Sequence, residues 1–561
     1  MEDVDLLEGL DDAQLAAVTS PTDPVCVLAP AGSGKTRVIT RRIAWRARQA
    51  DLDVRRALAI TFTTRAAREL DERLRALLGR DTATSGTFHA IAWRMIRDHH
   101  AERRSTPPVL LERPATLLAE VIPQRHRAST SAITTAITWA TARGIGPDDY
   151  AIAAGAGDHR APIDPAITAE VFASYAAAKR RRGVVDFDDL IGECVRLFES
   201  DAAFARAQHW RFRHFFVDEY QDVNPLQQRL LEAWIAGRED LFVVGDPNQA
   251  IYGFNGADAG YLTGFAERHP NATIIELSTN HRSTPEIVAI ADAALGRRGP
   301  DRRRFAVTTC TVHAAEDAAD EALSIARTLR SEHTPGHPWR SQAVLVRTHA
   351  QTRPILELLE RSGIPVVAPD DPSTRDAVRV ATFHSAKGLE WPVVHLAGLE
   401  EGYVPDFHAR STETLAEERR LLYVATSRAT RRLHLTWARR RRLGTRDVDR
   451  SPSRWLAPIV QALGPSSEPR PRRVSAVSIL PPLEEPEPES SRDRLLRWRR
   501  ATARAASVPL AVVLPDTVLD DLVRLAPSDP DELGKVPGLG IIKANRYGTA
   551  LLDALHPGRS K

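Results

Sequence analysis

Short apolar runs alternate along the chain with longer stretches in which apolar residues recur every three or four positions. The runs that read as buried strands lie at 25–28, 57–61, 215–218, 241–245, 343–346, 393–396 and 433–436. Strands that alternate with amphipathic helices are typical of parallel α/β domains. The pattern therefore predicts an α/β protein built on two parallel sheets.

The loop after the first apolar run has the composition of a phosphate-binding loop. Residues 29–36 read Ala-Pro-Ala-Gly-Ser-Gly-Lys-Thr and lead into a helical stretch. Small residues let backbone N–H groups wrap a triphosphate, while Lys35 reaches the β- and γ-phosphate oxygens and the Thr36 hydroxyl coordinates Mg²⁺. The first position is Ala29 where Gly is usual, and an incidental glycine turn is the alternative interpretation. Only six of the 76 Lys and Arg residues are Lys, so a lysine at position 35 indicates a need for a compact charge.

Two adjacent carboxylates end the third apolar run. Asp218 can hold Mg²⁺ and Glu219 can polarise an attacking water. A solvated turn is the alternative, but a phosphate loop needs an acidic partner and this is the best strand-terminal pair in the chain. The two elements together predict hydrolysis of a nucleoside triphosphate.

Seven further blocks follow a recognisable order. They read Leu-Asp-Asp-Ala-Gln at 10–14, Ala-Ile-Thr-Phe-Thr-Thr-Arg-Ala-Ala at 59–67, Gly-Thr-Phe-His at 86–89, Val-Gly-Asp-Pro-Asn-Gln-Ala-Ile-Tyr-Gly-Phe at 244–254, Asn-His-Arg-Ser at 280–283, Thr-Phe-His-Ser-Ala-Lys-Gly-Leu-Glu at 382–390 and Glu-Glu-Arg-Arg-Leu-Leu-Tyr-Val-Ala-Thr-Ser-Arg-Ala at 417–429. Together they resemble the Q motif and motifs Ia, Ib, III, IV, V and VI of superfamily 1A DNA helicases of the UvrD/PcrA/Rep type. The resemblance covers the chain from Leu10 to about Leu456.

The resemblance implies a role for individual residues. The catalytic residues are Lys35, Asp218, Glu219, Gln249, Arg282 and Arg428. The nucleotide-binding residues are Gln14, Ala29, Ala31, Gly32, Ser33, Gly34, Lys35, Thr36, Arg37, His281, Gly388 and Glu390. The DNA-binding residues are Phe62, Thr87, His89, Tyr252, Phe254 and His384, and the C-terminal segment described below adds Lys543. The implied cofactors are ATP and Mg²⁺, with the metal held by Thr36 and Asp218.

A motor that steps along any sequence is expected to stack bases on aromatic rings, because every base has a stacking face. For Phe62 and Tyr252 a place in the core is the alternative. The chain departs from the family at two positions: His281 stands where a Tyr is usual, and Asn255 where an Arg is common. The second departure predicts that a charged link between the ATP and DNA sites is missing or is supplied elsewhere.

The same resemblance implies two RecA-like motor domains with a helical 1B insertion in the first, but the 2B insertion that the family carries in the second is expected to be absent from this chain. Only 34 residues, 348–381, separate Arg347 from motif V, which is room for a helix, a turn and a strand. The predicted segments are 1–97 and 187–275 for motor domain 1A, 98–186 for insertion 1B, 276–462 for motor domain 2A, 463–490 for a linker and 491–558 for a C-terminal domain.

Beyond the motor, a proline-rich stretch predicts an extended linker, and the following segment resembles the small all-α HRDC domain. Its Pro-Gly-Leu-Gly turn at 537–540, followed by Lys543, allows a backbone to approach a phosphate. A purely structural turn is the alternative, and such a module is as compatible with a protein partner as with DNA.

Within the predicted insertion 1B, the run Lys-Arg-Arg-Arg at 179–182 is expected either to contact DNA phosphates or to form a solvated helix end.

Composition adds a few limits. With 43% apolar and 27% charged residues the chain reads as several globular domains, and its net charge of +3 requires the cations to be arranged along a groove if it binds DNA. Three cysteines exclude a metal cluster held by four of them. The start lacks a basic and then apolar leader, so a cytoplasmic, nucleoid-associated protein is expected.

The function expected from the sequence is ATP-dependent 3′-to-5′ translocation along single-stranded DNA, with helicase activity in DNA repair or replication maintenance. Two alternatives remain: a translocase that strips proteins from single strands but unwinds weakly without a partner, and an ATP-gated DNA-binding regulator. The expected partners are single-stranded DNA, single-strand/duplex junctions and a repair or replication protein; no membrane is involved.

Overall fold

The structure is a computed structural model that describes residues 6–79, 81, 83–156, 163–297, 309–368, 375–443, 446–463, 490–506 and 513–556. The chain divides into two compact units, Met1–Ser466 and Ser467–Lys561. The linker predicted at 463–490 lies outside the described residues except at its two ends.

The described residues form fifteen strands and twenty-two α-helices. The strands are β1 Val25–Leu28, β2 Ala57–Thr61, β3 Thr84–Thr87, β4 Val109–Leu110, β5 Val184–Val185, β6 His214–Val217, β7 Leu241–Gly245, β8 Thr273–Glu276, β9 Cys310–Asp317, β10 Gln342–Val346, β11 Val366–Val367, β12 Val378–Thr382, β13 Trp391–Leu396, β14 Ala429–Leu443 and β15 Arg446–Asp449. The helices are α1 Asp12–Thr19, α2 Lys35–Arg48, α3 Thr64–Leu78, α4 Phe88–Glu102, α5 Pro114–Val121, α6 Thr130–Thr141, α7 Pro147–Ala156, α8 Pro165–Arg182, α9 Phe187–Ser200, α10 Ala202–Arg211, α11 Pro225–Ile235, α12 Gly260–Thr263, α13 Phe265–Arg268, α14 Pro285–Ala294, α15 Ala318–Glu332, α16 His349–Arg361, α17 Thr412–Thr426, α18 Leu456–Leu463, α19 Ser491–Ala506, α20 Asp516–Leu525, α21 Pro530–Leu533 and α22 Ile541–Leu555.

The first sheet has six parallel strands in the order β3-β2-β6-β7-β1-β8. Strands β1, β2 and β7 are almost wholly buried, because helices cover both faces, and this is why each reads as a continuous apolar run. The loops after β1, β6 and β7 leave the sheet at the same edge, the carboxyl edge, where parallel sheets bind ligands.

A helical insertion interrupts this sheet. Helices α5 to α8 pack around their own apolar core, which includes Ile133, Tyr150 and Phe172, beside the short parallel pair β4–β5. At the end of α8, Lys179 is buried and bonds to Asp186 and Asp189 at 2.7 Å, so it does not belong to the exposed basic run that the sequence indicated. This ion-pair cluster ties the last helix of the insertion to the start of α9.

The second sheet has the strand order β11-β12-β10-β13-β14-β15, with β9 paired to β14. All its pairs are parallel except β14–β15. Between β10 and β12 the described residues contain only α16 and β11, so the predicted fold class without a 2B insertion is confirmed. The C-terminal unit is all-helical in its described part, α19 to α22, around a core that includes Leu495, Leu519 and Leu551.

We expect Lys179→Met to destabilise the motor unit by about 3–5 kcal/mol, because it leaves the buried Asp186 and the partly buried Asp189 without their cation. The matched control is Arg182→Met, three residues along the same helix, which removes a half-exposed pair with Glu120 and should cost less than about 1 kcal/mol. Urea unfolding at neutral pH, followed by circular dichroism, measures both shifts. Equal shifts for the two variants would show that the Lys179 cluster adds no stability.

Candidate functional site

The phosphate loop joins β1 to α2 at the carboxyl edge of the first sheet. Gly32 and Gly34 have φ of +80° and +88°, a backbone conformation that favours glycine. Ala29 has no such φ, and its N–H donates to the carbonyl of Gly245 at 2.8 Å, so the residue ends the strand and tolerates a Cβ. Lys35 opens α2 and its Nζ donates to the Ala29 carbonyl at 2.8 Å. The lysine therefore folds back over the loop where a phosphate would lie.

Two carboxylates face this loop from the end of β6. Glu219 has φ of +52°, a strained value for a non-glycine residue and one that is typical of functional sites. The Gln221 amide fixes its orientation by donating to Glu219 Oε2 at 2.6 Å. Burial and the neighbouring Glu219 raise the pKa of Asp218. Burial opposes the ionisation of Glu219, but the charges of Lys35 and Lys387 outweigh it and lower its pKa.

The donor set at this position suits a divalent cation. Asp218 and Thr36 both line the cleft in front of the phosphate loop, and carboxylate and hydroxyl oxygens are the ligands that Mg²⁺ prefers. A cation beside Asp218 would also stabilise the ionised carboxylate. It would thereby counteract the effect of burial, which raises the pKa of this carboxyl. Among the described residues, no group of three or more His, Cys, Asp or Glu could hold a metal by itself, so a metal here would need a substrate's oxygens as well.

The second sheet contributes two arginines to the same place. Arg428 is buried, and its Nη2 lies 3.5 Å from Gln249 Oε1 of the first sheet's loop. Burial, followed by the charge of Arg282, lowers the pKa of Arg428 to about 10, so the guanidinium stays charged at neutral pH. Arg282 pairs with Glu390 at 2.7 Å. Gln249 in turn donates to Asp246 Oδ2 at 2.8 Å.

One cleft of about 1100 Å³ collects most of the residues that the sequence assigned to nucleotide, metal or DNA. Those that line it are Ala31, Gly32, Gly34, Lys35, Thr36, Arg37, Phe62, His89, Asp218, Glu219, Gln249, Tyr252, Arg282, Gly388, Glu390 and Arg428. Those that do not line it are Gln14, Ala29, Ser33, Thr87, Phe254, His281, His384 and Lys543. Lys543 belongs to the C-terminal unit.

Beside the phosphate loop, two residues that the resemblance assigns to the nucleotide, Gln14 for the adenine edge and His281 for stacking on adenine, are engaged with the protein itself. Gln14 is buried and its amide donates to the Ser33 carbonyl at 2.8 Å. The His281 ring bonds to Asp11 at 2.8 Å, while its backbone N–H donates to the Gly32 carbonyl at 2.9 Å. Both contacts place these side chains next to the loop, and their roles in base recognition stay predictions.

The residues 252–256, named here the aromatic turn, follow the loop of Gln249. Phe254 is 50% exposed and meets the His384 ring edge-on, with centroids 5.4 Å apart. Burial, followed by the charge of Arg347, lowers the pKa of His384 to about 4, so this ring is neutral at neutral pH.

Thr87, which the resemblance assigned to DNA, is less available to a ligand, because its hydroxyl accepts the Ala90 N–H as the cap of α4.

Two residues that sequence reasoning left without a role occupy central positions. The Lys387 ammonium pairs with Asp222, donates to the Gln249 carbonyl at 2.6 Å and lies 4.9 Å from the Tyr252 ring centroid. A charged contact between the nucleotide side and the aromatic turn is therefore present although position 255 is Asn. The scarcity of lysine, which singled out Lys35, was the signal that could have found it.

Phe187 is the second such residue. It opens α9, is 53% exposed and meets the His89 ring edge-on at 6.3 Å. Burial lowers the pKa of His89, which lines the cleft beside Phe62. No sequence signal separates Phe187 from a core phenylalanine, because it stands in an ordinary amphipathic helix start.

Two parallel sheets, with a phosphate loop on one and arginines from the other meeting in a single cleft, define a two-domain P-loop nucleoside triphosphatase. Comparison with family models gives a narrower class: the UvrD/REP helicase N-terminal domain matches residues 10–270, the UvrD-like helicase C-terminal domain matches 275–373 and 368–440, and the HRDC domain matches 491–555. The chain belongs to the UvrD/Rep family of ATP-dependent DNA helicases.

Named relatives agree with this family. The ATP-dependent DNA helicase UvrD2 of Mycobacterium tuberculosis is 34% identical over 692 aligned residues, which cover 98% of each chain. The ATP-dependent DNA helicase PcrA of Leuconostoc citreum is 34% identical over 64% of this chain and 50% of its own length, and PcrA of Staphylococcus aureus is 30% identical over the same shares. The aligned length exceeds the 561 residues of this chain, so UvrD2 carries residues without a counterpart here.

In the described part of the chain, no helix is both long enough and apolar enough to cross a membrane.

Proposed function

We propose that this protein is an ATP-driven 3′-to-5′ translocase on single-stranded DNA that unwinds duplexes in DNA repair or replication maintenance, acting at the nucleoid. The observation that carries the proposal is the shared cleft, to which the first sheet supplies Lys35 and Glu219 and the second supplies Arg282 and Arg428. Charged groups from two bodies around one nucleotide let its binding and hydrolysis change how the bodies sit. The 3′-to-5′ polarity rests on the family resemblance alone.

In this mechanism Lys35 and the N–H groups of the phosphate loop hold the triphosphate, and Thr36 and Asp218 hold Mg²⁺. When bound, Mg²⁺ neutralises charge on the phosphate oxygens. Glu219, whose lowered pKa keeps it ionised, orients and deprotonates the attacking water, and Gln221 keeps its carboxylate in place. These residues supply placed charge, which is the main need of phosphoryl transfer.

The transferring phosphoryl group gains charge that Arg282 and Arg428 stabilise through their forked donors. Gln249 senses the γ-phosphate, and its bond to Asp246 holds it ready. Arg282 would leave Glu390 to do so, which frees that carboxylate for the ribose hydroxyls. This exchange of partners ties the approach of the second sheet to the presence of nucleotide.

Single-stranded DNA is proposed to run along the aromatic turn. Tyr252 and Phe254, with His384 beside them, present ring faces and edges to bases, and Phe62 and His89 continue the track on the first sheet. We add Phe187 to this set because it is exposed next to His89. Thr87 is proposed to contact the DNA backbone near the start of α4.

A second candidate function is protein displacement from single strands with weak unwinding. The observation that favours it is the short connection between β10 and β12, which leaves the motor without the helical domain that longer family members insert there. A regulator that only binds ATP and DNA is less well supported, because all six residues proposed to be catalytic line the same cleft. ATPase, strand-displacement and streptavidin-displacement assays on one preparation separate the three.

Lys35→Ala and Glu219→Gln should each lower DNA-stimulated ATP hydrolysis at least ten-fold, a loss of about 1.4 kcal/mol or more of transition-state stabilisation. Glu219→Gln should still bind ATP. The control is Lys535→Ala, which changes an exposed lysine of the C-terminal unit and should keep full turnover. Residual turnover above a tenth in Glu219→Gln would remove Glu219 from its role as catalytic base.

Tyr252→Ala should raise the DNA concentration for half-maximal ATPase by roughly 5- to 150-fold, since one stacked base contributes about 1–3 kcal/mol. The matched control is Trp210→Ala, an aromatic residue that is 64% exposed but lies outside the cleft. Titration with oligothymidylate at two salt concentrations measures both variants. Unchanged affinity in Tyr252→Ala would return this residue to the core and move the track elsewhere.

For the C-terminal unit we propose DNA contact at the start of α22, where Gly538 and Gly540 adopt φ of +76° and +71° and Lys543 lies in the first turn. A chain truncated after residue 464 should keep DNA-stimulated ATPase and lose affinity for forked DNA. Lys543→Ala should reduce the salt dependence of fork binding, whereas Arg524→Ala, an exposed control, should not. If the truncated chain and both variants bind forked DNA as tightly as the unaltered protein does, the C-terminal unit is assigned to a protein partner instead.

A further inference from the structure

A single helix of the second sheet contacts both the phosphate loop and the aromatic turn. This helix, α17, carries Glu417 near its start and Tyr423 near its end. The two residues are six positions apart, which is roughly 9 Å along a helix axis. Each of the two side chains accepts a hydrogen bond from a backbone N–H group in a loop of the first sheet.

At one end, the Tyr423 hydroxyl accepts the N–H of Ala31, in the phosphate loop, at 3.1 Å. The same hydroxyl donates to Asp246 Oδ2 at 3.3 Å. Asn280 holds the same residue from its other backbone group by donating to the Ala31 carbonyl at 2.8 Å. Tyr423 is 5% exposed, so its hydroxyl joins the loops that follow β1 and β7 in a place that water hardly reaches.

At the other end, the Glu417 carboxylate accepts the N–H of Gly253, in the aromatic turn, at 3.1 Å. It also accepts the N–H of Phe254. A Cβ added at Gly253 would lie 3.1 Å from Glu417 Oε2, which is closer than most Cβ contacts, so glycine permits this approach. One turn along, Arg420 Nε donates to the Ala250 carbonyl at 2.7 Å. The turn is therefore fastened to α17 through its backbone.

A helix is stiff along its axis, because each turn is hydrogen-bonded to the next. A shift of the phosphate loop that moves the Tyr423 hydroxyl must therefore move Glu417 and the turn as well, or break one of these hydrogen bonds. Coupling that passes through a packed element with contacts at both ends is the physical form that allosteric linkage requires.

We propose that α17 is a strut that links the nucleotide site to the DNA site, with Tyr423 and Glu417 as its positioning residues. The inference rests on the proposed function, since it takes the phosphate loop to bind ATP and the aromatic turn to bind DNA. Neither residue touches the reacting atoms. By linkage, the factor by which nucleotide changes DNA affinity equals the factor by which DNA changes nucleotide affinity.

The test measures that factor directly in the full chain. The dissociation constant of a fluorescent oligothymidylate is determined without nucleotide and with saturating, non-hydrolysable ATP analogue and Mg²⁺, and the ratio of the two is the coupling factor. The variants are Tyr423→Phe, Glu417→Ala, Glu417→Gln and the double variant Tyr423→Phe/Glu417→Ala. The matched control is Glu413→Ala, one turn earlier on α17, where the carboxylate is exposed.

We expect Tyr423→Phe and Glu417→Ala each to reduce the coupling factor about five-fold or more, toward a value of one. Glu417→Gln should keep part of it, because the amide oxygen still accepts an N–H. Glu413→Ala should match the unaltered protein. The double variant should lose no more than the worse single variant, because both changes cut the same strut.

Three results overturn the strut: an unaltered coupling factor in Tyr423→Phe and Glu417→Ala, losses that multiply in the double variant, or a factor of one in the unaltered protein. Failure of the proposed function looks different, because the unaltered protein would then show no DNA-stimulated ATPase in the same buffer. Tyr423→Phe and Glu417→Gln nearly preserve side-chain shape, and matching melting temperatures establish that they fold.

Discussion

Three carboxylates gathered after β6 need cations, and the motor unit satisfies this need by bringing its two sheets together. Asp218, Glu219 and Asp222 lie within five residues of one another, and Asp222 is almost fully buried. Lys35 supplies positive charge from the first sheet, but the cation that pairs with Asp222 is Lys387 of the second. A buried carboxylate without its partner costs several kcal/mol, so separating the sheets is opposed by electrostatics as well as by lost packing.

The same constraint explains why a nucleotide can control this arrangement. In the proposed mechanism, ATP with Mg²⁺ would add both negative and positive charge in front of Asp218 and Glu219, so the balance among Lys35, Lys387 and the carboxylates would change when it binds or leaves. Lys387 also lies against the Tyr252 ring. A change in charge at the phosphates therefore acts on a lysine that directly contacts the aromatic turn. In the proposed mechanism, the residues that stabilise the closed motor are therefore the ones that respond to each step of hydrolysis.

The sequence predicts the parts of this structure in which local pattern and burial agree. Strands β2 and β7 were placed from end to end, because buried parallel strands are continuous apolar runs. Strand β3 reads Thr-Ser-Gly-Thr and gives no such signal, and β14 runs to Leu443 rather than 436 because pairing with β9 and β15 holds a polar arginine stretch in extended form. The domain boundaries and site roles stay predictions.

At the candidate site, the sequence pattern predicted the residues that form contiguous motifs. It did not predict contacts between residues that are far apart in the chain. The phosphate loop and the pair Asp218–Glu219 are contiguous blocks, so their composition reveals them. The contact between Lys387 and Asp222 spans 165 residues, and that between Tyr423 and Ala31 spans 392. No periodicity links such positions, and only the folded backbone brings them together.

The short connection between β10 and β12 and the helix α17 belong to different parts of the second sheet. The edge strand β11 and its neighbour β12 lie beside the cleft, and Arg340, Arg375 and Arg379 line it there. Helix α17 begins after β13, on the far side of β10 from that edge, and its contacts with the phosphate loop and the aromatic turn use no residue of the connection. The short connection therefore makes no contact in the path that we propose from nucleotide to DNA. In the proposed mechanism, α17 and the Lys387 contact with Tyr252 link the nucleotide to the DNA track, whereas grip on a duplex must come from the cationic edge or from the C-terminal unit.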